Sequence, residues 1–220
     1  MVQKECTLRE KKYARTKLAI MNAFMERLKC NRYEDISIKQ ICADAELAQG
    51  TFFNYFPEKI DVIVYYLSLI KIKLIWQAEK EVHSERYLPL IDVVFGKLSE
   101  VWNNDNLAYQ IISVLIAETK RPRLVFISAL EKKMAFPQCD GIEDIQSEVF
   151  DVWFKKRVEL ALKNGELPVG TNPDDVVISL MTIITGTILA IRFKDGDRGY
   201  HYKRQLQLLW KGLGVKGAAK

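Results

Sequence analysis

Six prolines punctuate the 220-residue chain, at positions 57, 89, 122, 137, 168 and 173, and each falls at the edge of an apolar-periodic stretch. Proline has no amide donor and a locked φ, so helix starts and loops accept it where helix interiors and central strands do not. Asp140-Gly141, Asn164-Gly165 and Asp195-Gly196 would suit hairpin turns, but their flanks lack the period-two alternation of half-buried strands. The chain therefore reads as all-α. Helices are predicted over 8–30, 37–44, 48–55, 59–82, 88–102, 106–119, 122–134, 142–164, 173–193 and 200–213. Thr7-Leu8-Arg9-Glu10 forms a capping-box pattern at the first of them. Asn172-Pro173-Asp174-Asp175 opens another with a cap, a proline in the first turn and two acids on the positive end of the dipole.

Apolar residues make up 49% of the chain and charged residues 28%, a balance that supports a packed core rather than disorder. The net charge of +5 is mild, but six Lys and Arg (Lys4, Arg9, Lys11, Lys12, Arg15, Lys17) crowd the first twenty residues against only Glu5 and Glu10. Such a cluster suits either a solvated helix start or an anionic partner. Cys6, Cys30, Cys42 and Cys139 have no C-x-x-C pairing, and the start MVQKECTLREKK has no apolar signal core, so a reducing cytoplasmic setting is expected. The longest uncharged run, Val176–Ile191, is short of a typical span of ~20 residues and carries Ser179, Thr182, Thr185 and Thr187. It reads as a core or interface helix, not a membrane span.

The most informative stretch is Ser37–Phe56. Ser37 suits the N-cap of IKQICADA, whose Ile38, Ile41, Cys42 and Ala45 share one face. Glu46-Leu47 makes a tight turn, and a second short helix starts at Ala48-Gln49-Gly50-Thr51. Phe52 and Phe56, four apart, point inward together. Gln49, Phe53 and the outer edge of Thr51 turn away from them, with Asn54 and Tyr55 at the flanks. Two short helices joined by a tight turn, the second exposing polar and aromatic groups, describe a helix-turn-helix.

This stretch resembles the tetracycline-repressor (TetR) family of bacterial transcription regulators. Ser37, Ile38, Ile41, Cys42, Ala45, Leu47, Gly50, Thr51, Phe52, Phe53, Tyr55, Phe56 and Lys59 stand in register with the family's pattern, and Ile20, Ala23, Leu28 and Tyr33 fit the helix and turn before it. The likeness covers about residues 12–65; beyond it, only helix count and length agree. Glu46 stands where the family has Gly or Asn, Ala48 where it has a Ser cap, and Asn54 where His or Tyr is frequent. The resemblance implies an N-terminal three-helix DNA-binding group (residues 1–65) and a larger helical bundle (66–220) for effector binding and dimerisation. The two share the helix that starts at Lys59. On the DNA side it implies roles for Ser37, Lys39, Gln49, Gly50, Thr51, Phe53, Asn54, Tyr55 and Lys59. Gln49 suits an adenine edge and Phe53 a thymine methyl, while Thr51, Tyr55, Lys39 and Lys59 suit phosphates, and Gly50 allows close approach.

The implied partners are a palindromic double-stranded DNA operator, a second copy of the chain and a largely apolar small-molecule effector. Trp102, Tyr109, Phe126, Phe150, Trp153 and Phe154 are the aromatics available to line the effector cavity; plain core is the other reading. Gly186, Leu206, Leu209, Trp210 and Leu213 are the candidate dimer surface, with burial inside one subunit as the alternative. Enzymatic motifs are absent: no G-x-x-x-x-G-K-[ST], no G-x-S-x-G, and His83 and His201 have no ligand-spaced partners, so neither a metal nor a cofactor is expected. The expectation is a homodimeric, ligand-responsive repressor. A helical binding or scaffold protein whose helix-turn-helix only packs is the alternative, and a helical enzyme a more distant third.

Overall fold

The computed structural model describes residues 7–102, 105–119, 125–193 and 196–215, which are helical without a strand among them. Contacts group the chain into two units, residues 1–73 with 113–147 and residues 74–112 with 148–220. The chain crosses between them three times, twice inside a helix and once between helices.

In the first unit, α1 (Leu8–Leu28) starts at the expected capping box: Thr7 Oγ1 accepts from the Glu10 amide at 3.2 Å, and Glu10 accepts from the Thr7 amide at 2.8 Å. Its Ile20, Phe24 and Leu28 are fully buried. Then come α2 (Ile38–Asp44), a 3₁₀ helix (Gln49–Asn54) and α3 (Lys59–Glu81). The second short helix was expected to be α-helical. It closes instead with i→i−3 bonds, Thr51 N to Ala48 O at 2.8 Å and Tyr55 N to Phe52 O at 3.0 Å. Ala48 offers no side-chain cap, and six residues between a tight turn and Pro57 leave little room for i→i−4 bonding.

Two other expected helices are shorter than their apolar pattern. Of the predicted 122–134, residues 122–124 lie outside the described residues and 125–128 are not helical. Helix α6 spans only Ala129–Ala135, because Ser128 and Glu131 make a capping box there (3.2 and 2.8 Å) that fixes the start. It stops at Phe136, which precedes Pro137 and is pushed out of the helical region. The predicted 142–164 is split. A 3₁₀ turn at Ile142–Asp144 gives way to open chain, held where Lys132 Nζ donates to the carbonyls of Glu143 and Ile145, before α7 (Phe150–Lys163) begins.

The second unit holds α4 (Leu88–Val101), α7, α8 (Pro173–Ile191) and α9 (Arg198–Gly212), with most of α5 (Asp105–Ala117). Phe95 is its aromatic hub, 5.9 Å from Phe154 and 5.6 Å edge-on to Tyr202. Two buried polar groups are tied down: Tyr202 donates to the Ile184 carbonyl at 3.1 Å, and Glu166 accepts from the Tyr87 and Leu88 amides at 2.7 and 3.2 Å, serving the start of α4. Helix α8 is, among the described residues, the one helix long and apolar enough to cross a membrane; Val176, Leu180, Ile184 and Ile188 on it are core of this unit.

Candidate nucleic-acid interface

The site is assembled from α2 and the 3₁₀ helix, and their ends explain its shape. Ser37 and Gln40 close a reciprocal capping box on α2, with Ser37 Oγ accepting from the Gln40 amide at 3.2 Å and Gln40 Oε1 accepting from the Ser37 amide at 2.9 Å. At the other end Leu47 N donates to Cys42 O at 2.8 Å and Glu46 N to Ala43 O at 3.1 Å. This is a Schellman ending, and it places Glu46 at φ 55°, a left-handed conformation adopted here without glycine. Cys42 Sγ, at 3.9 Å from the Gln49 carbonyl, links α2 to the start of the next helix.

The aromatic cluster divides as the spacing predicts. Phe52 and Phe56 are buried, 5.9 Å apart, with Phe56 edge-on to buried Tyr65 at 5.5 Å. Each such burial stabilises by about 1.5–3 kcal/mol. Phe53 keeps 55% of its surface exposed against the edge of Phe52. Gln49, Gly50 and Asn54 are exposed, Thr51 is half-buried, and Lys39 is exposed on α2. A Cβ built on Gly50 meets no atom within 4 Å, so the room beside it opens outward.

Lys59 departs from its expected place at a phosphate. Its ammonium donates to the carbonyls of Tyr33 (2.5 Å) and Ile36 (2.9 Å) and lies 4.0 Å over the Tyr33 ring. Burial lowers the Lys59 pKa and pushes the Tyr33 hydroxyl up to about 12. The reason is local: the chain between α1 and α2 leaves carbonyls without helical partners, and the lysine satisfies them. Ser37 is likewise engaged in its capping box. Tyr55 is half-buried, its ring 4.8 Å from that of Tyr13 on α1, a neighbour the sequence reading did not assign.

Lys17, counted above within a basic surface cluster, is buried. It pairs with Glu131 of α6 at 3.0 Å, the two side chains keeping 8% and 5% of their surface. Tyr65 donates to the same carboxylate at 3.0 Å, and the Lys17 ammonium lies 4.3 Å over the Tyr65 ring. Burial by itself would raise the Glu131 carboxyl, but hydrogen bonds from Ser128 and the charge and hydrogen bond of Lys17 outweigh it and hold the group below its ordinary value. The available signal was register: Tyr13, Lys17, Ile20 and Phe24 recur on one face of α1.

The remaining expected residues do not gather into one place. Phe126 belongs to the first unit and is exposed, whereas Trp102, Tyr109, Phe150, Trp153 and Phe154 belong to the second. There Trp102, Trp153 and Phe154 are buried, while Tyr109 and Phe150 are half-buried. Gln77 Oε1, Trp102 Nε1 and Trp153 Nε1 are buried with no hydrogen-bond partner among the described residues. Leu206 and Trp210 are core of their own unit, with Trp210 Nε1 donating to Asp92 at 2.9 Å, so neither is left for a partner. Leu209 and Leu213 are half-buried. Gly186 borders an outward-opening cleft of about 290 Å³ between α8 and α9, lined also by Thr182, Ile183, His201 and Gln205.

Comparison with solved structures decides what this architecture is. Thermus thermophilus FadR, described as a TetR-family transcriptional repressor in complex with lauroyl-CoA, superposes with a TM-score of 0.64 at 18% identity, over 93% of this chain and 98% of that one. The chain has the TetR-family fold. The fatty acid degradation regulator FadR from Bacillus halodurans gives 0.63 at 14% identity, over 97% of this chain and all of that one. SmeT, the repressor of the Stenotrophomonas maltophilia multidrug efflux pump SmeDEF, gives 0.62 at 13% identity, over 94% and 95%. No protein-family model and no curated protein matches the sequence. The likeness to the TetR-family fold thus lies in the arrangement of helices, with the helix-turn-helix of α2 and the 3₁₀ helix at its N-terminal end.

Proposed function

We propose that the protein is a DNA-binding transcriptional regulator, a repressor that leaves a palindromic operator when a small molecule binds. The observation that carries this reading is the split of one short helix. Phe52 and Phe56 anchor it in the core while Gln49, Gly50, Phe53 and Asn54 stay exposed. A scaffold protein has no use for an exposed aromatic and an exposed amide on a helix anchored so deeply; a base-reading helix needs both.

The second unit supports the other two roles. The unpartnered buried atoms of Gln77, Trp102 and Trp153 are polar groups for which an effector supplies a partner. The dimer surface is the outer face of α8 and α9, where Ile178 and Leu208 are exposed. A Cβ on Gly186 meets no atom within 4 Å, so nothing in its own subunit calls for glycine there, and a closely approaching partner helix does. Isologous contact through this face gives two reading helices for two half-sites.

The test is selection of duplexes from a random pool by the full-length protein, followed by affinity measurement at several salt concentrations. A palindromic motif with a steep salt dependence is the expected result. Gln49→Ala should relax discrimination at one base pair by about 1–3 kcal/mol. Enrichment of no motif would leave the scaffold reading in its place.

A further inference from the structure

The basic start of α1 is not accounted for by the helix-turn-helix. Arg9, Lys11, Lys12 and Arg15 are exposed and form no ion pair among the described residues. Three other cations of the same unit are matched: Arg27 with Asp44, Lys29 with Glu26, Arg32 with Glu34. Leaving four cations unpaired within two helical turns raises self-repulsion, which an anionic partner relieves.

The geometry singles out one of the four. The Tyr13 ring packs at 4.8 Å on that of Tyr55, the residue that ends the 3₁₀ helix, so the Tyr13 side of α1 is the side next to the reading helix. Arg9 lies four residues before Tyr13 and shares its face, one turn further out, whereas Lys12 stands on the flank, three residues from both Arg9 and Arg15. Lys11 and Arg15, themselves four apart, fall on the other side of the helix. The Thr7–Glu10 capping box keeps this first turn helical, so these side chains project from a fixed backbone rather than a frayed end.

We propose that Arg9 binds a backbone phosphate of the DNA duplex, flanking the bases read from the 3₁₀ helix. This rests on the DNA-binding reading above. The contact is electrostatic and adds affinity and register without base preference.

Full-length protein is titrated with a duplex enriched from the random pool, across a series of salt concentrations. Arg9→Ala should lower the slope of log K against log salt by about 0.9, as loss of one phosphate contact requires. Relative affinities among duplex variants should stay unchanged. Lys11→Ala and Arg15→Ala remove the same charge from the other side and should leave the slope unchanged. If the wild type enriches no duplex, both readings fall. If it binds and the Arg9 variant keeps its slope, or the Arg9, Lys11 and Arg15 variants lose slope equally, only the α1 contact is overturned.

Discussion

Lys59 shows how a residue's type and place can be legible while its direction is not. Its position at the start of α3 suits a phosphate contact, and spacing alone argues for one. Its partners, the carbonyls of Tyr33 and Ile36, lie 26 and 23 residues earlier, and only the folded turn brings them within reach. Lys59→Met should therefore cost stability, about 1–3 kcal/mol for carbonyls left unpaired, and should leave the salt slope of DNA binding intact. Denaturant midpoints and salt titration on the same variant separate these effects. Phe52 and Phe53 are the opposite case: helical periodicity assigned one inward and one outward, and the structure agrees, since burial of a residue within a short helix depends on its immediate neighbours.

At the scale of an element, the turn after α2 carries a cost. Glu46 holds φ at 55° so that the Leu47 and Glu46 amides can reach back to Cys42 and Ala43. A side chain in the left-handed region is disfavoured by roughly 1–2 kcal/mol, which glycine escapes. Glycine's extra freedom in the unfolded chain offsets part of that gain. Glu46→Gly should stabilise the first unit by about 1 kcal/mol net, measured as a higher denaturant midpoint at unchanged slope. The bounds of α1, α2, α3 and α4 were readable to within two residues because caps and prolines mark them. Those of α6 and α7 were not. There the apolar pattern runs on past the chain's actual breaks, and the Ser128–Glu131 box that fixes one start is a short signal inside a longer periodic run.

For the whole molecule, the buried Lys17–Glu131 pair joins helices more than a hundred residues apart in sequence. The folded Glu131 carboxyl titrates below its unfolded value, so its contribution is complete above about pH 4.3 and is lost as pH falls through the lower folded value. Glu131→Gln should flatten the loss of stability seen on acidification in that window, at the expense of stability near neutrality, because Lys17 is left buried without a counter-charge. Thermal melts from pH 3 to 7 check both. The proposed dimer is tested by Leu208→Glu, on the exposed face of α9, where a charge spares the subunit's own core. Sedimentation should show monomer, circular dichroism an unchanged helix content, and affinity for the palindrome should collapse. A variant that remains dimeric places the interface elsewhere. The all-helical architecture was legible in the sequence, but the surface left open for a partner was not: the apolar stripe of α9 pointed to Leu206 and Trp210, which the subunit keeps for itself.

The division between Phe52 and Phe56 below and Gln49, Phe53 and Asn54 above has a consequence for how such a protein changes over generations. Exposed residues can be exchanged at little cost to folding. Under the DNA-binding function proposed above, a lineage can thus be redirected to a new genomic address by a few substitutions on the outer surface of one short helix. The same aromatic footing persists beneath each new version, much as a lock is re-keyed without being rebuilt.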